Sequence, residues 1–345
     1  MQRRRSTSLV QTTAGALVMA LALAVAPVPA QEAGAGKTYT MKITLPTIND
    51  PAHFFAKTYA EAVEKDSGGR IKTEIYTASQ LGTIPRQIEG TQFGAIQCAI
   101  IPPEFFVGVD ERFEVMAAPG LIDSVEHGHR LAADPTVLKT MLALGANKGL
   151  HGVAMFLNAP SSVISRTPLR HLADFKGRKI RVLASQFQIK AMERLGATPV
   201  AMTLGDVIPA LQQGAVDGAI GGIVVWTPMH FQDAAKYVTE TGQPAVYVMA
   251  EINKAWYDAL PADLKAVIDK DAAAAQAAVA PVGADIVAKA RQGWLDAGGE
   301  LISLPAPEQA QMMAEISAAA AEVAKAKPAV YDAYLAVTEA AKRMQ

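Results

Sequence analysis

The sequence predicts an α/β protein of two lobes, each built on a β-α-β-α-β unit. Three observations predict it: a weak internal repeat, the same order of elements around both copies, and a length too great for one core. Residues 92–100 read Gln-Phe-Gly-Ala-Ile-Gln-Cys-Ala-Ile, and residues 212–220 read Gln-Gln-Gly-Ala-Val-Asp-Gly-Ala-Ile. Both have the form of a helix end, a glycine cap and a short apolar strand. Glycine suits the cap because a chain leaves a helix most cheaply through the left-handed region.

In the first unit, Lys42-Ile43-Thr44-Leu45 reads as a strand. A helix follows from about His53 to Lys65, with Phe54, Phe55, Tyr59, Ala62 and Val63 at helical spacing, and Gly68-Gly69 ends it. Ile71 to Tyr76 is the second strand and Pro85 to Phe93 the second helix. In the second unit the strand is Lys179-Ile180-Arg181-Val182, and the helix runs from about Gln186 to Leu195 and stops at Gly196. A strand at Pro199–Met202 comes next, and Thr203 with Asp206 resembles a capping box for the helix that ends at Gln213. Alternation of this kind argues for a parallel sheet with helices on both faces. Two such units facing each other place a cleft at the carboxyl ends of their strands. The C-terminal third is different. Pro261 to Gly299 is long, Ala-rich and helical in pattern, interrupted by Pro281; further helices run from near Pro307 to Ala326 and from about Tyr331 to Met344.

The first thirty residues read as a signal peptide rather than as part of the fold. Arg3, Arg4 and Arg5 form a basic start, Ala14 to Ala26 is an uninterrupted apolar run, and Val28-Pro29-Ala30 supplies a small-residue cleavage site. The run is shorter than the roughly 20 residues a spanning helix needs, so the mature chain is expected in the periplasm without inserting into the membrane. Cleavage would move the net charge from −1 to −4. A mildly acidic, well-mixed surface gives no footprint for nucleic acid. Cys98, the only cysteine, lies in an apolar run and reads as a buried filler.

Residues 168–182, Pro-Leu-Arg-His-Leu-Ala-Asp-Phe-Lys-Gly-Arg-Lys-Ile-Arg-Val, resemble the central signature of the DctP-type substrate-binding subunits of TRAP transporters. The similarity continues through Leu195-Gly196-Ala197-Thr198-Pro199-Val200, Ala210-Leu211-Gln212-Gln213-Gly214, Val216-Asp217-Gly218, Ala235-Lys236-Tyr237 and Trp256-Tyr257, with Ser79-Gln80-Leu81-Gly82 matching in the first unit. The resemblance implies the two-lobed periplasmic binding protein fold (type II-like), with crossing strands and a long helix that braces both lobes. On that expectation lobe I comprises 38–159 plus about 247–286, and lobe II comprises 160–246 plus about 287–345. It also implies a receptor that hands a small carboxylate ligand to the membrane subunits of a TRAP permease, with the arginine of Lys-Ile-Arg-Val, here Arg181, holding the carboxylate. Two departures stand out. After Val-Asp-Gly the family pattern continues Gln-Glu-Asn, whereas this chain has Ala219-Ile220-Gly221 followed by Gly222. The arginine that many sialic-acid-type members carry is absent near Asn158-Ala159-Pro160, and Asn158 is taken among the candidate ligand contacts.

From its residues alone, Arg181 fits two roles: a bidentate carboxylate anchor, or one member of an ion pair inside its own lobe. The resemblance favours the anchor. Trp226, Phe187 and Phe105 read equally as apolar cleft walls or as lobe core. Gly221 and Gly222 point to a close backbone approach to ligand or hinge. No Lys-Ser/Thr follows them and no dinucleotide fingerprint is present, so no cofactor is expected. Arg86 reaches either the cleft or solvent, and Glu104 either meets a ligand hydroxyl or amine or lies on the surface. His127 and His129 beside Glu126 read as a helix-start cluster rather than a metal site. No nucleophile or acid–base pair is visible, so the function expected is binding without catalysis. The competing readings are an ABC-type or sensor-coupled receptor of the same architecture and a periplasmic enzyme on that fold.

Overall fold

The computed structural model describes residues 36–344, so the expected signal peptide lies outside the described residues. The chain opens with strand β1 (Tyr39–Thr44), helix α1 (Pro51–Asp66), strand β2 (Ile71–Tyr76), helix α2 (Ile84–Gln92) and strand β3 (Cys98–Ile101). Asp50 starts α1 by accepting the His53 N–H at 3.0 Å, with Pro51 at the first helical position, where a missing N–H costs nothing. Phe55, Tyr59 and Val63 recur every four residues on its buried face. Two 3₁₀ turns (Pro103–Phe106 and Glu111–Ala117) lead to helices α3 (Val125–Ala133) and α4 (Pro135–Leu142) and strand β4 (Leu150–Ala159).

Strand β5 (Ser162–Ser165) opens the second half, and the unit then repeats: β6 (Lys179–Val182), α5 (Gln186–Arg194), β7 (Thr198–Ala201), α6 (Val207–Gln213) and β8 (Gly218–Gly221). A short helix α7 (Ile223–Trp226), strands β9 (Tyr237–Glu240) and β10 (Val246–Asn253), and helices α8 (Lys254–Asp258) and α9 (Ala262–Asp296) follow. Strand β11 (Glu300–Ser303) and helices α10 (Ala306–Lys325) and α11 (Pro328–Lys342) complete the described chain.

The repeat is structural. One sheet has the order β2-β1-β3-β10-β4 and the other β11-β9-β5-β8-β6-β7. In both, the first strand of the unit lies between its second and third strands and runs parallel to each. The repeated glycines, Gly94 and Gly214, both take left-handed backbone, with φ of 85° and 74°. That conformation is nearly free for glycine and strained for other residues.

The chain passes between the sheets at residues 160–161, joining β4 to β5, and at residues 241–245, joining β9 to β10. The two passages touch: the Gly242 N–H donates to the Ser161 carbonyl at 2.9 Å, and Thr241 Oγ1 donates to the same oxygen at 3.3 Å. Helix α9 spans both halves. Gln276, midway along it, takes the Met155 N–H of β4 at 3.0 Å, while the Ala290 carbonyl accepts from Thr227 Oγ1 just after α7 at 2.8 Å. The helix runs through Pro281 without a break, which removes one backbone donor and costs about 3 kcal/mol in an isolated helix. Packing against α1, β4 and α7 offsets that cost.

The last helix departs from the expectation that residues 287–345 stay together in lobe II. The α11 helix packs against the second 3₁₀ turn, α3 and α4, all in the half that holds β1. The His127 ring, buried on α3, places Nε2 3.0 Å from the Ala341 carbonyl, and Arg130 donates to the Met344 carbonyl at 2.8 Å. The physical reason is the apolar stripe Val330, Ala333, Val337 and Ala341, which needs a buried partner, together with a cation at the helix start. That cation, Lys327, meets the buried Glu114 at 2.9 Å.

Glu114 also ties the halves together. Its Oε2 accepts the Gln186 N–H at 2.7 Å and the Ser185 hydroxyl at 3.3 Å, at the amino end of α5, where the helix dipole favours a negative charge. Glu114→Ala should therefore lower stability by about 2–4 kcal/mol, because three donors lose a charged acceptor. Urea unfolding should show an earlier midpoint, and a loss under about 0.5 kcal/mol, the scale of an ordinary surface substitution, would refute this role.

Candidate functional site

A small pocket lies where the two sheets face each other. Its walls come from the segments just beyond the carboxyl ends of parallel strands: Pro46 and Thr47 after β1, Pro102 and Phe105 after β3, Leu183 after β6, and Gly221 and Gly222 at the end of β8. This is where open α/β sheets put their ligands, since helices cover the faces and only the strand ends stay reachable. Arg181 and Asp50 are the only charged side chains among the lining residues.

Arg181 sits on β6, the middle strand of β7-β6-β8, and is 2% exposed. Its Nε donates to the Met202 carbonyl just past β7 at 3.0 Å, and its Nη1 donates to the Ile220 carbonyl in β8 at 2.9 Å. Both neighbouring strands thus aim the guanidinium. Nη2 has no acceptor among the described residues, and no carboxylate forms a salt bridge with the group. The alternative of an ion pair inside its own lobe does not occur in this structure. Burial pulls the guanidinium down to about 10, partly opposed by Glu104 and Asp206, so it stays a cation at neutral pH.

Glu104 lies behind this cation, in the first 3₁₀ turn, and does not line the pocket. It is fully buried, against the expectation of surface exposure or a ligand contact. Its Oε1 receives only a long 3.4 Å contact from Gln188, and its Oε2 has no partner. Burial raises its carboxyl to about 8 against the pull of Arg181, with Glu114 adding to the rise. Burial therefore favours the protonated form of Glu104 and weakens its electrostatic pairing with Arg181.

Trp226 meets both of its sequence-based alternatives. It lines the pocket, yet it is fully buried, donates from Nε1 to Ser162 Oγ at 3.0 Å and packs on Phe231 at 4.7 Å between ring centres. Gly221 and Gly222 do mark close approaches, but to protein. A Cβ on Gly221 would lie 2.4 Å from the Trp226 ring, and one on Gly222 would lie 2.7 Å from Ala159 at the crossing strand. Phe105 and Asn158 line the pocket. Asn158 is largely committed already, taking the Ala52 N–H at 3.1 Å and donating to Asp50 at 3.2 Å.

Besides Glu104, two candidates fall elsewhere. Phe187 is core: it is fully buried, stacks on Tyr334 of α11 at 6.0 Å and does not reach the pocket. The cause is its place in the first turn of α5, a helix that packs on α10 and the second 3₁₀ turn, where the ring meets Tyr334 instead of the pocket. Arg86 is exposed and pairs with Glu89 one turn along α2, at 2.7 Å. Sequence reasoning missed Thr47 and Asp50. The Asn49-Asp50-Pro51 run reads as a helix start, and that role hides the fact that the cap also faces the pocket. Burial holds the Asp50 carboxyl above its ordinary range. The Thr47 hydroxyl lies near enough to favour its ionised form slightly, but makes no full hydrogen bond.

The shift at Glu104 has a definite sign in folding. The folded chain holds this proton up to about pH 8, whereas an unfolded glutamate releases it near 4.5, so its contribution is complete below the unfolded value and fades as pH rises to 8. Glu104→Gln should flatten part of the loss in stability between about pH 5 and 8. Denaturation midpoints across that range give the test, and identical slopes in the two proteins would refute it.

Comparisons with known proteins agree with this geometry. A family model described as bacterial extracellular solute-binding protein, family 7 (DctP), matches residues 44–327. The C4-dicarboxylate-binding periplasmic protein DctP of Rhodobacter capsulatus is 30% identical over 258 residues, covering 74% of this chain and 77% of that protein. An uncharacterized protein of Salmonella typhimurium, YiiZ, is 29% identical over 209 residues, 59% of this chain, and the match spans 63% of its own length, just under two thirds. Among solved structures, a TRAP periplasmic solute-binding protein from Desulfovibrio salexigens with bound orotic acid superposes with a TM-score of 0.84 at 23% identity, covering 89% of this chain and 100% of that one. The likeness at that identity shows a shared two-lobed fold. The family match covers most of the chain, from the end of β1 to the start of α11, and the protein therefore belongs to the DctP family of bacterial extracellular solute-binding proteins.

Proposed function

We propose that the chain is a TRAP-type receptor that binds a small organic acid between two lobes and hands it to a membrane permease without altering it. The observation that carries this reading is Arg181: a buried cation at a pocket, fixed by two backbone carbonyls, with one nitrogen uncommitted and no protein carboxylate hydrogen-bonded to it. Burying such a charge costs several kcal/mol unless an anion completes it. A ligand carboxylate meets that need, and the name of the Rhodobacter relative, a C4-dicarboxylate-binding protein, is in keeping with it.

The lobes we take are those of the two sheets, with the passages at 160–161 and 241–245 as the hinge and α11 resting against the first lobe. Opening and closing would exchange about these passages. The ligand stabilises the closed form because only there do Arg181 from one side and the walls around Thr47 and Phe105 from the other reach it together. Closure also removes water from the cleft, which strengthens the pairing with the guanidinium. The permease partnership and the periplasmic location follow from the family. Among the described residues no helix is long and apolar enough to cross a membrane.

Arg181→Lys keeps a charge but loses the planar fork, and a lysine cannot satisfy both backbone carbonyls and a carboxylate in the same geometry. Affinity for a bound organic acid should fall by about 100-fold or more by calorimetry, and the ligand-induced rise in melting temperature should disappear. An unchanged dissociation constant in this variant would discard the anchor.

A further inference from the structure

We infer that the pocket selects monocarboxylates with a compact hydrocarbon body and turns away both dicarboxylates and polyhydroxy acids. The inference rests on the reading of Arg181 as the anchor and asks what the remaining walls accept. One cation faces the pocket, so one carboxylate is neutralised. The only other charged lining side chain is Asp50, an acid, contributed from the opposite sheet's side. A second carboxylate would be stripped of water with no cation to meet it and with an acidic group in the same wall.

Hydroxyls fare little better. The polar atoms around the pocket are mostly spent within the protein. Asn158 is bonded to Ala52 and Asp50, and Trp226 turns its N–H to Ser162 and leaves carbon toward the cavity. The lining side chain without a hydrogen bond of its own, beyond the Arg181 nitrogen, is Thr47, whose Oγ1 is buried and unpartnered. One hydroxyl or keto group could be served there. A sugar acid brings several, and each one buried without a partner lowers affinity by about tenfold. The rest of the wall is hydrocarbon, from Ile100 and Phe105 on one side to Leu183, Leu204 and Val225 on the other. It favours a compact branched or single-ring body.

The test is calorimetry of the purified protein with four probes: 4-methyl-2-oxopentanoate, phenylacetate, succinate and galacturonate. At least one of the two monocarboxylates should bind about 100-fold tighter than succinate and galacturonate. Asp50→Asn removes the acid yet keeps a good helix cap, so the fold survives and succinate should gain about tenfold relative to the monocarboxylates. Succinate or galacturonate binding as well as the monocarboxylates, with Arg181→Lys still abolishing that binding, would overturn the selectivity and leave the anchor standing. Binding indifferent to Arg181→Lys, or no binding of any probe at millimolar concentration, would overturn both.

Discussion

A guanidinium held out of water by two strand-end carbonyls is the constraint around which the rest of this protein is arranged. Met202 and Ile220 offer oxygens from the strands on either side of β6, and together they fix the plane of the Arg181 fork. That geometry requires the order β7-β6-β8, since only a central strand has a neighbour on each side at the right height. The β-α-β-α-β unit produces this order by crossing over twice, once in each direction from its first strand. The same unit in the first half builds β2-β1-β3 and places Thr47 and Asp50 just past the end of its central strand. One topology used twice thus puts a cation on one wall and polar oxygens on the other.

What keeps the two walls face to face is a set of contacts that lie away from the pocket. Glu114 receives the amino end of α5 and the lysine that starts α11. The α9 helix is bonded at its middle to β4 and near its end to the segment after α7. These elements bury charge and apolar surface but leave the pocket mouth open to change. On the proposed reading, closure about the crossing strands has to accommodate the contacts at Glu114. Its donors are a backbone amide, a hydroxyl and a partly exposed lysine, all of which water can replace.

Much of this was legible in the sequence, because it rests on local rules. The glycine caps, the apolar strands and the helix from about Gln186 follow from short stretches, and the strand Ile71–Tyr76 lies where the sequence places it. Arg181 stood out as a charge between Ile180 and Val182. The failures come from contacts between distant segments. Phe187 lies five residues beyond β6, where a ligand-facing ring was plausible, yet α11 returns from the chain end to cover it with Tyr334. Glu104 follows two prolines at a strand end, a usual place for exposure, but the second half closes over it. Asp50 is hidden for the opposite reason: an aspartate before a helix-starting proline has a sufficient local role as a cap, and nothing in the sequence signals a second one.

The departure at 221 ties these strands of reasoning together. The family pattern puts an asparagine where this chain has Gly221, and a Cβ there would lie within 2.4 Å of the Trp226 ring. No real Cβ approaches a ring carbon that closely, so an asparagine and this placement of the tryptophan exclude each other. Glycine at 221 and the aromatic wall at Trp226 therefore go together. Ser162 completes it by taking the indole N–H, so that the tryptophan buries no unpaired donor while it turns carbon toward the cavity. On the proposed reading, Arg181 anchors the acid and the surface around it is mostly hydrocarbon. Specificity in such a site comes from what the wall cannot satisfy, since the arginine alone would accept any carboxylate small enough to enter.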